Sequence, residues 1–564
     1  MTRAPDQPVR PTDGTLGAVT SPAGRMRPDR RPRRHLTDLL AAFPDCSVAS
    51  TGVEPLESTV LTGVAVGSAD VEPGDLFVAL GGQRAHGAAY AGSAVRSGAV
   101  AVLTDDAGAL ALAGDSEGDG GAPLVPVLGA ADPRGLLGAV SAWLYDRPAE
   151  AVTLVGITGT NGKTTTSYLV EAALAAVHAV TAVVGTVELR IGDESVESPR
   201  TTVEAPVLHG LLARMREKGV GACVMEVSSH ALALGRVAGT RFDVAGFTNL
   251  QRDHLDFHGD MAGYFADKAR LFAPETTRHA VVCVDDEWGA RLAAELRAQG
   301  AVPVDAIATR EDAVGADEAL WRVTNASIGL DGVGSSFTLT GPDVTAVAAS
   351  SPLPGQVNVS NAALAVVLAY RAGVPLAVAV RAVGEARAVP GRMERVVERD
   401  GVLPLCIVDY AHTPDALELA LAAVRPITPG RLVIVLGSDG DRDRGKRPLM
   451  GEIAARLADV VVVTDENPRS EEPGAIRASI LEGVRSHRPD GRDVHECEPR
   501  GEAVALAVRL AGPQDTVIVT GKGHEPTQEV AGVFHRYNDR DAFLRAVAAS
   551  APDERGATPL EDHA

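Results

Sequence analysis

The chain has 564 residues, which exceeds what one hydrophobic core supports and predicts three or four domains. Its net charge of −21, without basic patches that carry interleaved aromatic residues, disfavours nucleic acid as a partner. Five widely spaced cysteines, no long apolar run and no apolar segment at the N-terminus predict a cytoplasmic protein without membrane insertion, and we expect a monomer.

The N-terminal residues are rich in Pro, Arg, Asp and Gly, a composition that does not offset the entropy cost of ordering the chain. We therefore predict a disordered tail over residues 1–48. Its arginine run, from Arg25 to Arg34, is interpreted as a solvated arm, and contact with an anionic surface is the alternative.

Short apolar runs alternate with helical patterns over the rest of the chain, which predicts an α/β protein of three domains. Residues 49–148 are predicted to form a small N-terminal α/β domain. Residues 149–388 are predicted to form a central domain of the P-loop type, which binds a mononucleotide and has a mostly parallel sheet. Residues 389–550 are predicted to form a Rossmann-like C-terminal α/β domain, and residues 551–564 are predicted to form a flexible tail.

A glycine-rich loop follows the predicted strand at 152–155 and precedes a predicted helix. Gly159 and Gly162 allow backbone N–H groups to face phosphate oxygens, as in nucleotide-binding loops. Lys163 supplies a cation for the β- and γ-phosphates, and Thr164 offers a hydroxyl to Mg²⁺. The loop therefore predicts an ATP site, and a glycine turn before an ordinary helix is the alternative.

Two further segments follow predicted strands and carry candidate metal ligands. Glu226 and His230 lie in the first, and His254 and Asp256 lie in the second. Carboxylate oxygens suit Mg²⁺, whereas histidine is a less usual ligand for this ion. Taken singly, each histidine is more often structural than ligating.

The C-terminal domain has four charged loops that each follow a predicted strand. Because the carboxyl ends of parallel strands meet at one edge of a sheet, we expect these loops to converge on one ligand site. Their arginines and carboxylates suit a zwitterionic amino acid, since arginine binds a carboxylate and glutamate binds an ammonium. Solvated turns are the alternative for any one of them, and the loops begin at Asp409, Gly440, Asp465 and Gly521.

The phosphate loop resembles that of the Mur ligases and their folylpolyglutamate synthetase relatives. It reads Thr-Gly-Thr-Asn-Gly-Lys-Thr-Thr-Thr from Thr158, and it departs from the common P-loop spacing because Ile157 stands where that pattern has glycine. From the sequence alone, Lys268 is interpreted as a solvated helix lysine. The segment from Tyr264 to Phe272 resembles the one in which these ligases carry a carbamylated lysine, here Lys268. Residues after the tail resemble the branch of the family that adds a diamino acid to a muramoyl dipeptide.

The resemblance implies a role for a defined set of residues. The catalytic residues would be Lys163, Glu226, His254 and Lys268. The metal ligands would be Thr164, Glu226, His254 and Lys268, the last modified to N6-carboxylysine. ATP would be bound by Gly159, Thr160, Asn161, Gly162, Lys163, Thr164, Thr165, Asn361 and Arg392. The UDP-muramoyl dipeptide would be bound by Ser68, Thr201, Thr202, Ser228 and Arg236, and the incoming amino acid by Arg442, Glu466, Asn467, Pro468, Arg469, Gly521 and Glu525.

The implied activity is an ATP- and Mg²⁺-dependent ligase of peptidoglycan synthesis. It would add a diamino acid, with meso-2,6-diaminopimelate favoured, to UDP-N-acetylmuramoyl-L-alanyl-D-glutamate through an acyl phosphate. The three domains would then bind the UDP-sugar, ATP and the amino acid in chain order. The alternatives are a related ligase for lysine or another amine and acid pair, and a nucleotide-binding module without catalysis.

Three departures from the family pattern concern the two substrates. Asp-Ser-Arg is replaced by Gly-Ser-Ala around Ser68, which affects the UDP-sugar site. Gly-Cys-Gly-Gly is replaced by Gly-Ser-Asp-Gly at 437–440, and Asp-Asn-Pro-Arg becomes Glu-Asn-Pro-Arg at Glu466. Arg469 of this motif is retained, and by the resemblance it favours diaminopimelate over lysine.

Overall fold

A computed structural model describes residues 26–550 except 54, 83–84, 115–124, 329–333 and 343. Three α/β units follow one another along this part of the chain, each built on its own sheet, which confirms the predicted fold class. The predicted tails at residues 1–25 and 551–564 lie outside the described residues. Within the described part of the chain, every helix is too short or too polar to span a bilayer.

The N-terminal unit has a five-stranded sheet in the order β2-β7-β6-β5-β4, in which only β2 runs antiparallel to its neighbour. Its elements are β1 (Arg34–His35), α1 (Leu36–Ala42), β2 (Ser47–Ser50), β3 (Val60–Leu61), β4 (Gly63–Ala65), β5 (Asp75–Ala79), α2 (Ala91–Arg96), β6 (Ala101–Thr104), α3 (Asp106–Gly114), β7 (Val127–Gly129) and α4 (Pro133–Leu144).

The prediction of a disordered tail up to residue 48 is wrong for its last part. Leu36 and Leu39 of α1 are fully buried in the N-terminal core. The apolar spacing of this short helix, at i and i+3, was obscured by the polar composition around it. The interpretation of the arginine run as a solvated arm is wrong at Arg27, whose guanidinium donates to the buried Asp75 at 2.8 Å.

The central unit has eleven strands in the order β11-β10-β9-β12-β8-β13-β14-β15-β16-β17-β18, parallel from β9 to β16 and antiparallel at both edges. Its elements are β8 (Thr153–Thr158), α5 (Lys163–Ala175), β9 (Thr181–Val184), β10 (Glu188–Ile191), β11 (Glu194–Glu197), α6 (Ala205–Glu217), β12 (Ala222–Glu226), α7 (Ser229–Ala233), β13 (Val244–Phe247), α8 (Leu255–His258), α9 (Met261–Ala269), β14 (Ala280–Cys283), α10 (Glu287–Gln299), β15 (Val304–Ala308), β16 (Trp321–Ile328), β17 (Ser335–Gly341), β18 (Val344–Ser351), α11 (Gln356–Arg371) and α12 (Leu376–Gly384).

The middle of this sheet is covered on both faces, which explains why its strands read as continuous apolar runs rather than alternating ones. Strand β8 lies between β12 and β13 with both parallel to it. The loops that leave the carboxyl ends of these three strands are therefore neighbours, and they are the three segments in which the sequence predicts phosphate and metal ligands.

The C-terminal unit has a six-stranded sheet in the order β19-β20-β24-β21-β22-β23, parallel except for β19. Its elements are β19 (Glu394–Val397), β20 (Leu405–Val408), α13 (Pro414–Val424), β21 (Leu432–Leu436), α14 (Lys446–Leu457), β22 (Val460–Val463), α15 (Pro473–His487), β23 (Val494–Glu496), α16 (Arg500–Leu510), β24 (Thr516–Val519), β25 (Thr527–Val530), β26 (Val533–Arg536) and α17 (Asp539–Ser550). Strands β20, β24, β21 and β22 are adjacent, so the four charged loops meet at one edge as predicted.

Candidate active site

The phosphate loop joins β8 to α5 and uses its two glycines for close packing. Gly159 has φ +146° and Gly162 has φ +86°, conformations that residues with a Cβ rarely adopt. A Cβ on Gly159 would overlap the Thr248 hydroxyl, and a Cβ on Gly162 would overlap the Asn361 amide. Both positions therefore require glycine, and Asn361 of α11 lies directly beside the loop, where the sequence places it.

The loop is held in place by the segment that follows β13. The Thr160 N–H donates to the Asn249 carbonyl at 2.9 Å, and the Asn161 N–H donates to the Asn249 side chain at 3.1 Å. The Thr248 hydroxyl donates to the Asn161 carbonyl at 2.7 Å. These bonds shape the loop before any nucleotide binds, which lowers the ordering cost of phosphate binding.

Glu226 ends β12 and is buried at the start of α5. Its carboxylate accepts hydrogen bonds from the Thr164 hydroxyl at 3.0 Å, from the Thr186 N–H at 2.8 Å and from the Thr186 hydroxyl at 2.9 Å. The hydroxyl and the carboxylate therefore form a pair of hard oxygen donors beside the phosphate loop. Thr186 was not predicted from the sequence, because a lone threonine after a strand carries no pattern.

Two lysines converge on one carbonyl of the loop. Lys163 Nζ donates to the Gly159 carbonyl at 3.0 Å, and Lys268 Nζ donates to the same oxygen at 2.8 Å. Burial, followed by the charge of Lys163, lowers the pKa of Lys268 well below its usual value. Lys268 is thus a fully buried amine, whereas its sequence alone reads as a solvated helix lysine.

His254 has no side-chain hydrogen bond to Glu226 or Thr164 among the described residues. It caps the short helix α8 with φ +52°, and its side chain is half exposed and contacts Asp253 at 3.3 Å. Its ring centroid is 4.8 Å from that of His230. Among the described residues, no three His, Cys, Asp or Glu side chains surround one metal position; the predicted ligand set also includes Thr164 and Lys268.

His258 fixes the segment that carries His254. Its Nδ1 lies 2.7 Å from Asp267 Oδ2 of α9, and its Nε2 lies 2.9 Å from Ser229 Oγ of α7. The His258 side chain is fully buried, and Ser229 is 2% exposed. This chain of hydrogen bonds ties α8 to two neighbouring helices, and it escaped sequence reasoning because its members lie up to 38 positions apart in the chain.

A cavity of about 170 Å³ opens beside the phosphate loop. Asn161 and Asn361 line it together with residues from the ends of β14 and β15 and from the start of α11. Its polar side chains set in apolar surface suit the nucleoside part of a nucleotide, and it was missed in the sequence because its residues come from six separate segments. The further polar lining residues are Asp285, Asp286, Arg310, Gln356 and Ser360.

The predicted muramoyl-peptide residues of the central domain are brought together. The Ser228 N–H donates to Thr202 Oγ1 at 3.0 Å, and Arg236 Nη1 donates to the Thr202 carbonyl at 3.3 Å. Thr201 lies 3.1 Å from the Thr186 hydroxyl, which links this group to Glu226. Ser68 lies in a single 3-10 turn of the N-terminal unit and has no hydrogen bond to this group among the described residues.

Three arginines beside this group share one carboxylate. Arg236 lies 2.9 Å from Glu204, Arg200 lies 2.9 Å from it, and Arg134 lies 3.8 Å from it. One negative charge for three positive ones leaves a local excess of positive charge in a chain whose net charge is −21. Such an excess suits a phosphate-bearing ligand.

Most of the predicted acceptor residues lie together at one edge of the C-terminal sheet, which we call the acceptor pocket. Lys522 is fully buried and donates to Asn467 Oδ1 at 2.9 Å and to Glu525 Oε2 at 2.8 Å. The Asn467 amide also donates to Glu525 Oε2 at 3.0 Å. Lys522 was not predicted, and it fixes two of the predicted residues in place.

The remaining acceptor residues differ in burial. Glu466 is 3% exposed, and its carboxylate lies against the Cα of Gly521. Arg469 has φ +54° and donates to Asp439 Oδ2 at 3.1 Å. Pro468 is packed against Gly440, and Arg442 is an exposed side chain on the loop that precedes α14.

Arg392 connects the C-terminal unit to the phosphate loop. Its Nη2 donates to Thr164 Oγ1 at 3.3 Å, and its guanidinium lies 4.0 Å above the Tyr410 ring. Gly391 packs against the backbone of Gly523, where a Cβ would clash. The nucleotide loop and the acceptor pocket are therefore two faces of one cleft between domains.

The chain has three α/β domains, and its phosphate loop faces a second ligand pocket across a domain boundary. These features define a multidomain nucleotide-binding protein. The family models agree in detail. The Mur ligase middle domain matches residues 157–369, the Mur ligase glutamate ligase domain matches residues 391–523, and the catalytic domain of the Mur ligase family matches residues 60–138.

Curated relatives cover almost the whole chain. UDP-N-acetylmuramoyl-L-alanyl-D-glutamate–2,6-diaminopimelate ligase of Streptomyces avermitilis is 46% identical over 87% of this chain and 94% of its own. UDP-N-acetylmuramyl-tripeptide synthetase of Leifsonia xyli is 46% identical over 93% of this chain and 98% of its own. A solved structure of a UDP-N-acetylmuramoyl-L-alanyl-D-glutamate–2,6-diaminopimelate ligase matches with a TM-score of 0.60 and 30% identity over 88% of this chain and 96% of its own. The chain belongs to the Mur ligase family, an ATP-using family, which confirms the resemblance found in the sequence.

Proposed function

We propose that the protein uses ATP to add 2,6-diaminopimelate to UDP-N-acetylmuramoyl-L-alanyl-D-glutamate in peptidoglycan synthesis. The observation that carries this proposal is the contact of Arg392 with Thr164, because it brings an amino-acid pocket up to the phosphate loop. The names of the relatives supply the substrates. The free thiols of all five cysteines suit a reducing compartment, and we place the reaction in the cytoplasm.

The reaction takes place in two steps. The terminal carboxylate of the dipeptide attacks the γ-phosphorus of ATP, which forms an acyl phosphate and releases ADP. The amine of the diamino acid then attacks the acyl carbon, loses a proton and expels phosphate. The Lys163 ammonium at the phosphate loop stabilises the negative charge of the transferring phosphoryl group.

The oxygen donors beside the loop fit a hard divalent cation. Thr164 and Glu226 would hold Mg²⁺, which prefers carboxylate and hydroxyl oxygens and takes further oxygens from phosphate and water. When bound, the ion neutralises charge on the phosphates. By the family resemblance His254 would be a further ligand, and His258 holds its segment in place through Asp267 and Ser229.

The buried amine of Lys268 suits carbamylation. Carbon dioxide reacts with a neutral amine, and burial together with the charge of Lys163 lowers the pKa of Lys268. The carbamate would give Lys268 a negative charge and pair it with the Lys163 ammonium, which shares the Gly159 carbonyl. Lys268 would then contribute an anionic oxygen ligand beside the phosphate loop.

The proposal is tested with purified protein, ATP, Mg²⁺ and the UDP-muramoyl dipeptide. Phosphate release and the mass of the product are measured with diaminopimelate, lysine and ornithine. We expect phosphate release and a product larger by one diaminopimelyl residue. Lys163→Ala should abolish both, and Lys218→Ala, at a half-exposed lysine outside the cleft, is the matched control.

The outcomes separate the alternatives. A product with lysine or ornithine in preference to diaminopimelate would identify a related ligase for another amine. No phosphate release with any acceptor would identify a nucleotide-binding module without catalysis, and either result refutes the proposed reaction.

A further inference from the structure

The acceptor pocket holds more negative charge than the family pattern supplies. Asp439 stands at a position where the resembled pattern has glycine, and Glu466 is one methylene longer than the usual aspartate. The loop at 437–440 packs against the loop of Glu466, because a Cβ on Gly437 would approach the Glu466 N–H nitrogen to 2.8 Å. The two departures from the pattern are therefore neighbours in space.

Several buried polar atoms around this pocket have no hydrogen-bond partner among the described residues. They include Asp439 Oδ1, Glu466 Oε2, Arg469 Nε and Ser438 Oγ. Glu466 is only 3% exposed, and its unpartnered oxygen lies over Gly521. Unpaired buried polar atoms are rare in folded proteins, and a set of them in one pocket indicates a missing ligand.

The cations nearby do not satisfy these oxygens. Lys446 donates to the His412 carbonyl. Lys522 donates its bonds to Asn467, Glu525 and a backbone carbonyl. Arg500 donates two hydrogen bonds, from Nε and Nη2, to the two carboxylate oxygens of Asp539. Two carboxylate oxygens and one guanidinium N–H therefore remain for a ligand that carries both a cation and an anion.

We propose that Asp439 joins the predicted acceptor residues Glu466 and Arg469 and binds the distal ammonium of the incoming diamino acid together with Glu466. Asp439 is thereby an additional residue that determines acceptor specificity. This inference rests on the proposed function, because it concerns the amine substrate of that reaction. It assigns Asp439 a role beyond its hydrogen bond to Arg469.

Electrostatics support the arrangement. Burial, followed by the charge of Asp439, raises the pKa of Glu466 to about 8. Ionising Glu466 beside Asp439 in a buried site is costly, and an ammonium between the two groups offsets that cost. An acceptor that lacks the distal ammonium leaves the cost in place, so the pocket discriminates against it.

The test compares three acceptors that differ at the distal end. Diaminopimelate has a distal ammonium and a distal carboxylate, lysine has only the ammonium, and 2-aminopimelate has only the carboxylate. KM is measured for each with the wild type and with Asp439→Asn, and an inhibition constant against diaminopimelate replaces KM where turnover is slow. Asp443→Asn, in the same loop and exposed, is the matched control.

We expect Asp439→Asn to raise KM for diaminopimelate and lysine about tenfold, as for loss of one hydrogen bond to a charged group, and to leave 2-aminopimelate unchanged. If Asp439 only positions Arg469, diaminopimelate and 2-aminopimelate would both weaken and lysine would not, which overturns the inference. Unchanged constants for all three acceptors overturn it as well.

Two measurements keep the test independent of folding and of the proposed reaction. The wild type must bind diaminopimelate about tenfold or more tightly than 2-aminopimelate, and equal binding refutes the inference without any variant. Asp439→Gly, which restores the family residue, should reproduce the effect of Asp439→Asn. A wild type that is inactive with every acceptor refutes the proposed function instead.

Discussion

Replacement of Glu226 by glutamine isolates the charge at the centre of the site. The side chain keeps its volume, and its amide oxygen still accepts the Thr186 N–H, which lies 2.8 Å from the carboxylate. The amide nitrogen then faces the two threonine hydroxyls, at 3.0 Å from Thr164 and 2.9 Å from Thr186, and both hydroxyls rotate to accept. We therefore expect a loss of stability of only about 1 kcal/mol.

The expected loss of activity is much larger than the loss of stability. The variant removes the negative charge that would hold Mg²⁺ with the Thr164 hydroxyl, and electrostatic groups of this kind contribute about 10²–10³ in kcat. This factor corresponds to about 3–4 kcal/mol of transition-state stabilisation. The ratio of the two effects, rather than either one, identifies Glu226 as a functional residue.

Phosphate release is measured against Mg²⁺ concentration for the wild type, Glu226→Gln and Glu197→Gln. Glu197 lies exposed on the edge strand β11 and is the matched control. We expect Glu226→Gln to need more Mg²⁺ and to have a low kcat even at saturation, with an almost unchanged midpoint in urea. A Glu226→Gln enzyme with the kcat and the Mg²⁺ dependence of the wild type would refute the assignment of the metal pair.

Four further predictions follow from single contacts. Lys268→Ala should lose activity, and wild-type enzyme with ¹³C-bicarbonate should show a carbamate carbon by NMR that Lys268→Ala lacks; no such signal would contradict carbamylation. Arg392→Ala should raise KM for ATP about tenfold, since its hydrogen bond at 3.3 Å and its charge lie at the phosphate loop, and an unchanged KM would contradict this role. The pKa of Glu466 is raised to about 8, so the wild type loses stability as pH rises from about 5 to 8. The free energy of unfolding of Glu466→Gln in urea, relative to that of the wild type, should therefore be higher at pH 8 than at pH 5. A difference that does not change with pH would contradict the shift. Gly483→Ala should lower the free energy of unfolding by about 1–3 kcal/mol, because its Cβ would overlap the Pro448 carbonyl of the neighbouring helix, and an unchanged urea midpoint would show that α14 and α15 separate easily.

The sequence by itself determined the features that depend on local backbone geometry. The phosphate loop was recognisable because the strand before it, the glycines at Gly159 and Gly162 and the helix after it are contiguous in the chain. The buried parallel strands were recognisable because both of their faces are covered, which requires an unbroken apolar run. The family resemblance followed from the same contiguous segments.

Local patterns failed where burial depends on distant partners. The helix with Leu36 and Leu39 was assigned to a disordered tail, since its seven residues sit in a polar, proline-rich neighbourhood and only contact with the N-terminal core orders them. Lys268 read as solvated, because nothing in its own helix reveals that the Gly159 carbonyl, 109 positions away, accepts its hydrogen bond.

Only the tertiary structure decided how the site is assembled. Parallel strand order placed Thr164 and Thr186 around the carboxylate of Glu226. The cleft between domains brought Arg392 to the phosphate loop. Asp439 gained a meaning only when it was seen beside Glu466. The physical reason is that hydrogen bonds and charges act through space over a few ångströms, whereas the residues that make them are separated by tens to hundreds of positions in the chain.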